Sequence, residues 1–222
     1  DDNGYVEIWE KPITGRAYVI GGDTSQGLAT GDYSAATVWD AKTWKQVAKW
    51  HGHIDPDLFG DELANLGYYY NTALLVPEVN NHGFTTMNKL KNANYPKIFQ
   101  RESYDESYDK TTRKLGFWTD RKTKPLIIDH LASCIRERLI ETHDKDFISE
   151  CITYVRDEDG STNAQDGCYD DLVMASAIGL FVLSNYISDY FDTVDNSAVR
   201  NDQKHLPFAL QDEEEPLSWV DL

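Results

Sequence analysis

"GGDTSQGLATGDYS", residues 21–34, decides the fold. It follows the apolar run "AYVI" and opens into loose, glycine-rich chain, so "RAYVIGGD" (16–23) reads as a strand ending on Asp23. A carboxylate at the end of a buried strand is costly unless it is hydrogen-bonded, paired or bound to a cation. On this stretch alone three readings stand open. Asp23 caps a turn, belongs to a loop that cradles a phosphate, or holds a catalytic cation.

Downstream, "SAATVWD" (34–40) and "KQVAKWH" (45–51) read as two more strands, giving a three-stranded antiparallel meander. "DPDLFGDELANLGYYYN" (55–71) follows as a helix, with Asp55-Pro56 as cap and first turn and Leu58, Phe59, Leu63 and Leu66 at helical spacing. "TALLVPE" (72–78) fits a buried strand. "NNHGFTTMNKLKN" (80–92) fits a helix with Phe84, Met87 and Leu90 on one face. A strand that returns through a helical crossover lies parallel and close to an earlier one. "LLVPE" then runs beside "YVIGGD", placing Glu78 and Asp23 side by side at carboxyl ends, where such sheets bind ligands.

The second half is mainly helical. Residues 95–120 carry the polar "RESYDESYDKTTRK" between the apolar "KIF" and "LGFW", as in a long hairpin or projecting loop. "TKPLIIDHLASCIRERLIE" (123–141) predicts a helix with Leu126, Ile127, Leu131, Ile135 and Leu139 inward. "KDFISECITYV" (145–155) fits helix or strand. "YDDLVMASAIGLFVLSNYI" (169–187) predicts a nearly buried helix. Asp170 and Asp171 open that helix, where an N-cap and a first-turn acid are the ordinary reading. Packing of so apolar a helix on the sheet aims its N-terminus at the strand ends. Three separated acidic features then converge, and they repel one another unless cations lie between them. Hard oxygen donors suit magnesium or manganese. Two such ions about 3.5–4 Å apart can activate water and stabilise the leaving oxygen in phosphodiester hydrolysis.

The totals bound this reading. The 222 residues are 41% hydrophobic with mean hydropathy −0.56 and contain no apolar run of about 18 residues, which points to a soluble globular protein outside the membrane. Cys134, Cys151 and Cys168 form no CxxC pair, so three ordinary thiols, no zinc site and a reducing compartment are expected. Net charge is −17, yet Lys89 to Lys145 holds 13 of the 21 basic residues against 9 of the 38 acidic ones. Arg121, Lys122 and Lys124 in that segment are the candidate DNA contacts. The abrupt opening "DDNGYVEIWE" suggests an excised piece, and the acidic stretch 189–222 reads as a loosely attached tail after a domain of residues 1–188.

Four stretches in this order resemble the C-terminal nuclease domain of the large terminase subunit of tailed bacteriophages: "YVIGGDTSQGLATGDYSAATVWD", "LLVPEVNNHG", "LGFWTDRKTKPLI" and "YDDLVMASAIGL". The resemblance covers roughly residues 5–188. It implies an α/β, ribonuclease H-like mixed sheet of three antiparallel strands plus parallel strands, flanked by helices. It also implies a two-metal DNA endonuclease that cuts concatemeric viral DNA during packaging in the host cytoplasm. The metal-binding acids would be Asp23, Glu78, and Asp171 or Asp170, with Asp32 matching an acid often found in the family's first turn. His82, beside Glu78 and Asn80, is a secondary candidate by its position alone, where a helix-start residue facing water is the ordinary reading. The cofactors would be Mg2+ or Mn2+. Where relatives often carry a histidine before the paired acids, this chain has Tyr169. The partners implied are double-stranded DNA, an N-terminal ATPase domain of the same polypeptide, the portal and the small terminase subunit. This chain has no GxxxxGK[ST] loop, hence no ATP site of that kind. Two other readings compete: a non-catalytic metal-binding docking module, and an actin- or sugar-kinase-like phosphate-binding domain built on "GGDTSQG".

Overall fold

Side chains alternate across a β-strand with period two, and this chain uses both faces of its sheet. In the computed structural model, which describes residues 4–28, 30–80, 82–105, 110–157 and 160–191, β2 (Tyr18–Asp23), β3 (Ser34–Asp40) and β4 (Gln46–Gly52) form the expected antiparallel meander. A short strand the sequence reading missed, β1 (Val6–Ile8), adds to the outer edge of β4. After helix α1 (Pro56–Tyr69), β5 (Leu74–Pro77) lies parallel to β2, giving the order β1-β4-β3-β2-β5. Beyond β5, among the described residues, the sheet continues as parallel bridges, Leu75 to Ile98 and Glu78 to Phe117.

Alternate strand residues feed two cores. Tyr18, Ile20, Ala36, Val38 and Leu75 pack toward α1 and α2 (Gly83–Asn92). Val19, Ala35, Trp39, Leu74 and Val76 pack toward α3 (Thr123–Arg136), α4 (Lys145–Thr153) and α5 (Asp171–Tyr186). Residues 145–155 thus resolve into both candidates, a helix followed by β8 (Tyr154–Arg156), which pairs with β9 (Thr162–Ala164). Within the polar stretch, β6 (Gln100–Asp105) and β7 (Lys110–Leu115) pair antiparallel.

Three expected inward positions face out. Leu58, Phe84 and Ile135 are exposed, because each sits at the margin of a narrow apolar stripe whose centre (Phe59 and Leu63, Met87 and Leu90, Ile127 and Leu131) is buried. Asp55 occupies the N-cap of α1 but makes no side-chain capping bond. The three cysteines are free thiols, with Cys168 exposed. By length and composition Asp171–Asp189 would suffice to cross a membrane, yet it is mostly buried inside the protein. Most of the tail expected over 189–222 lies outside the described residues.

Two contacts fix the helices that matter for the site. A Cβ on Gly21 would stand 2.0 Å from the Ala175 carbonyl oxygen and 2.7 Å from the Gly179 nitrogen, so glycine lets α5 lie directly on β2. The buried Lys49 ammonium on β4 reaches Asp144 at 2.9 Å and also bonds Asp146, tying the start of α4 to the sheet. Asp144 in turn caps α4 by accepting from Asp146 N and Phe147 N.

Candidate metal centre

Register brings the first two acids together. Gly22 pairs with Pro77 in the parallel β2–β5 ladder, and Glu78 N donates to the Gly22 carbonyl at 2.8 Å. Asp23 and Glu78 therefore leave adjacent strands at the same end and share a side-chain hydrogen bond. Asp170 and Asp171 arrive from the far end of the sequence because α5, seated on Gly21, starts at that same edge.

Asp23, Glu78, Asp170 and Asp171 line one cavity of about 500 Å3, together with Asp32, His82, Asn80, Thr119 and Lys124. Among the described residues two further oxygens at this cavity, Thr24 Oγ1 and Asn80 Oδ1, are buried without a hydrogen-bond partner. Asn80 is held by its amide nitrogen, which donates to Glu78 Oε1 at 3.0 Å and to the Thr119 carbonyl at 2.6 Å.

The electrostatics follow from crowding. Burial pushes the Asp23 carboxyl well above the usual carboxylate range, and the charges of Glu78, Asp171 and Asp170 push it further. Burial likewise raises Glu78, against the opposing pull of its bond to Asp23 and of Lys124. Asp171 is pushed up to about 7, chiefly by burial and then by Asp32 and Asp170, despite accepting from Tyr33 N at 3.2 Å. Asp170 is raised by burial, with Lys124 opposing. Carboxylates forced together in this way bind a proton tightly or bind a cation in its place. The donor set, carboxylates plus an amide and a hydroxyl oxygen, fits a hard divalent ion.

The ordinary reading of Asp170 as a side-chain N-cap needs correction. Asp170 stands at the N-cap position, but its side chain makes no capping bond. Glu150 of α4 does that work instead. Its Oε2 accepts from Leu172 N at 2.8 Å and Val173 N at 3.0 Å. Burial raises the Glu150 carboxyl to about 8, with the charge of Asp171 adding to the effect. Glu150, Asp171 and His51 of β4 each offer a ligand atom within 4.8 Å of the others. Burial holds the His51 imidazole down at about 4.

Sequence reasoning missed Glu150 and His51. One signal for Glu150 existed: read as a helix, 145–153 puts it three residues after Phe147, hence an acid on the buried stripe. Glu150→Ala leaves two buried N–H groups without an acceptor and is expected to lose about 1–3 kcal/mol of stability in urea unfolding. Glu150→Gln, which retains an acceptor oxygen, should lose clearly less. Equal losses would mean that the cap is not what Glu150 contributes.

The basic candidates divide. Arg121 and Lys122 are exposed just before α3. Lys124 lines the cavity, where its Nζ donates to Asn163 Oδ1 at 3.1 Å and lies 3.8 Å from Asp170 Oδ2. Tyr169 packs edge-on against Tyr33 rather than entering the acidic cluster.

No family model matches the sequence, and no curated protein matches it. Solved structures do. The large terminase nuclease from thermophilic phage G20c superposes with a TM-score of 0.62 at 19% identity, over 80% of this chain and 88% of that one. The Thermus phage P74-26 large terminase nuclease domain gives 0.62 at 18% identity, over 84% and 90%. The human cytomegalovirus terminase nuclease domain, soaked with manganese, gives 0.50 at 9% identity, over 81% and 88%. The chain has the ribonuclease H-like fold of these domains, as the sequence resemblance implied.

Proposed function

We propose that this chain is a metal-dependent endonuclease, the nuclease part of a large terminase that cuts concatemeric double-stranded viral DNA during packaging. One observation carries the reading: four carboxylates from three distant parts of the sequence line a single cavity at the carboxyl ends of β2 and β5. The fold supports it, as does the structure of the phage G20c nuclease with bound magnesium.

Asp23, Glu78 and Asp171 would hold the ions, with Asp170 beside them. A pair of divalent ions held there would supply activation of the attacking water and stabilisation of the leaving oxygen. The protein's own part is to place charge. Asp23 feels the charges of Glu78 and of both α5 acids. Asn80 orients Glu78 through its amide, and Thr119 orients Asn80. Lys124, which lines the cavity beside Asp170, would meet a substrate phosphate. Arg121 and Lys122 would hold the backbone farther out, without reading sequence. His82 and Asp32 are rim residues facing the same space. The N-terminal ATPase domain, portal and small subunit would be its partners in the host cytoplasm.

The test is plasmid nicking with manganese or magnesium and no ATP. Cleavage that stops in excess EDTA is the expected result. Cleavage that persists in EDTA, or DNA and metal binding without any cutting, overturns the nuclease reading, the latter in favour of a docking module.

A further inference from the structure

Phe84 and Trp118 are large, exposed and next to each other. They are 53% and 39% exposed, with ring centroids 6.2 Å apart at 58°. Both follow residues that contact the backbone at Glu78, an acid that lines the cavity. Trp118 follows Phe117, whose N–H donates to the Pro77 carbonyl and whose carbonyl accepts from Val79 N, each at 2.8 Å, so Phe117 is strapped alongside Glu78. Trp118 also precedes Thr119, the anchor of Asn80. Phe84 lies in the first turn of α2, where a Cβ on Gly83 would stand 2.0 Å from the Glu78 carbonyl. The ledge is thus part of the frame of the site.

The chemistry around it is cationic as well as aromatic. The Arg101 guanidinium stacks 5.5 Å from the centre of the Trp118 ring and is fixed there by a 3.0 Å bond to the Gly116 carbonyl. Thr123 Oγ1 donates to the Trp118 carbonyl at 3.0 Å, tying Trp118 to the turn that carries the exposed Arg121 and Lys122. Aromatic faces beside positive charge are how proteins hold unpaired bases: the ring takes the base and the cations take the backbone. Thr119, which follows Trp118, and His82, two residues before Phe84, both line the cavity, so the ledge is two residues or fewer along the chain from the space where a phosphate would sit.

We propose that Phe84 and Trp118 form a stacking ledge for a nucleobase lying unpaired beside the phosphate in the cavity. The inference rests on the nuclease reading and deepens it. The substrate at the moment of cutting is locally opened DNA, not an intact duplex.

The test compares a short labelled single strand with its duplex by fluorescence anisotropy, using the full chain in calcium buffer. Replacing both aromatics by leucine keeps apolar bulk but removes the π-faces, and both side chains are exposed, so the melting temperature serves as a check on folding. Phe84→Leu/Trp118→Leu is expected to weaken single-strand binding about tenfold while duplex binding stays within about twofold. The single substitution Trp118→Phe should retain most of the affinity. In the wild type, 2-aminopurine fluorescence in the single strand should be quenched, and the double variant should lose that quenching. Unchanged single-strand affinity, or equal losses on single strand and duplex, overturns the ledge. Failure of the nuclease reading would show elsewhere, as a wild-type protein that does not cut plasmid in manganese.

Discussion

Asp23→Asn should lower metal-dependent plasmid cleavage by on the order of 10²–10³ or more, the scale of losing one electrostatic stabiliser from a preorganised site. Asparagine keeps the shape of the side chain and can donate an amide N–H to Glu78, which accepts from Asp23, so the fold has no reason to change. What it loses is the charge at the centre of the cluster, the one that Glu78, Asp171 and Asp170 all repel. That repulsion makes a second, opposite prediction for stability. An acid whose folded pKa stands above its unfolded one holds its proton more tightly when folded. Its contribution to stability is therefore complete below the unfolded pKa and lost as pH rises through the folded value. At neutral pH without metal the crowded cluster costs stability, and Asp23→Asn should melt at a higher temperature than the wild type. Added manganese should narrow that gap by stabilising only the wild type. Near-normal nicking by this variant would reduce Asp23 to a turn residue. A lower melting temperature would show that its carboxylate is paired favourably instead.

The sheet and the first acid pair were legible in the sequence because two short-range rules sufficed. Apolar runs set off by loop and turn residues marked residues 16–23, 34–40 and 45–51 as strands, and the crossover rule made β5 parallel to β2, which alone put Glu78 beside Asp23. The placement of Asp170 and Asp171 was legible for a different reason: α5 is apolar all round, so it had to lie buried on the sheet. What could not be read was side-chain choice at helix margins and ends. Whether Phe84 turns inward depends on the space left by Met87 and Leu90, which packing settles and periodicity does not. Which acid caps α5 depends on α4, brought there by Lys49 and Asp144 from 95 residues apart. Any local rule assigns the cap to Asp170, the residue in the cap position. Glu150 takes it because its carboxylate reaches the same N–H groups from a neighbouring helix.

That exchange sharpens the second large effect, the difference between the paired acids of α5. Relieved of capping, Asp170 has its carboxylate near Lys124 at 3.8 Å, with 29% of its side chain exposed. Asp171 is only 5% exposed and is held in place by Tyr33 N. It also weighs more heavily than Asp170 on the ionisation of Asp23. Asp171 thus has the deeper position and the closer coupling to Asp23, while Asp170 has a cation already beside it. Asp171→Asn, which can still accept from Tyr33, should lose on the order of 10²–10³ in cleavage rate. Asp170→Asn should lose about 10–100-fold, the range of a residue that supports metal binding from its edge. The two variants should also differ in kind. Raising manganese is expected to restore much of the Asp170→Asn activity, because weakened binding is recovered by mass action. It should do little for Asp171→Asn, where the charge that orients the ions is missing at any concentration. An active Asp171→Asn beside a dead Asp170→Asn would reverse the assignment. It would make Tyr33, Glu150 and His51 the packing around a structural carboxylate, with the ions lying on the Lys124 side of the cavity.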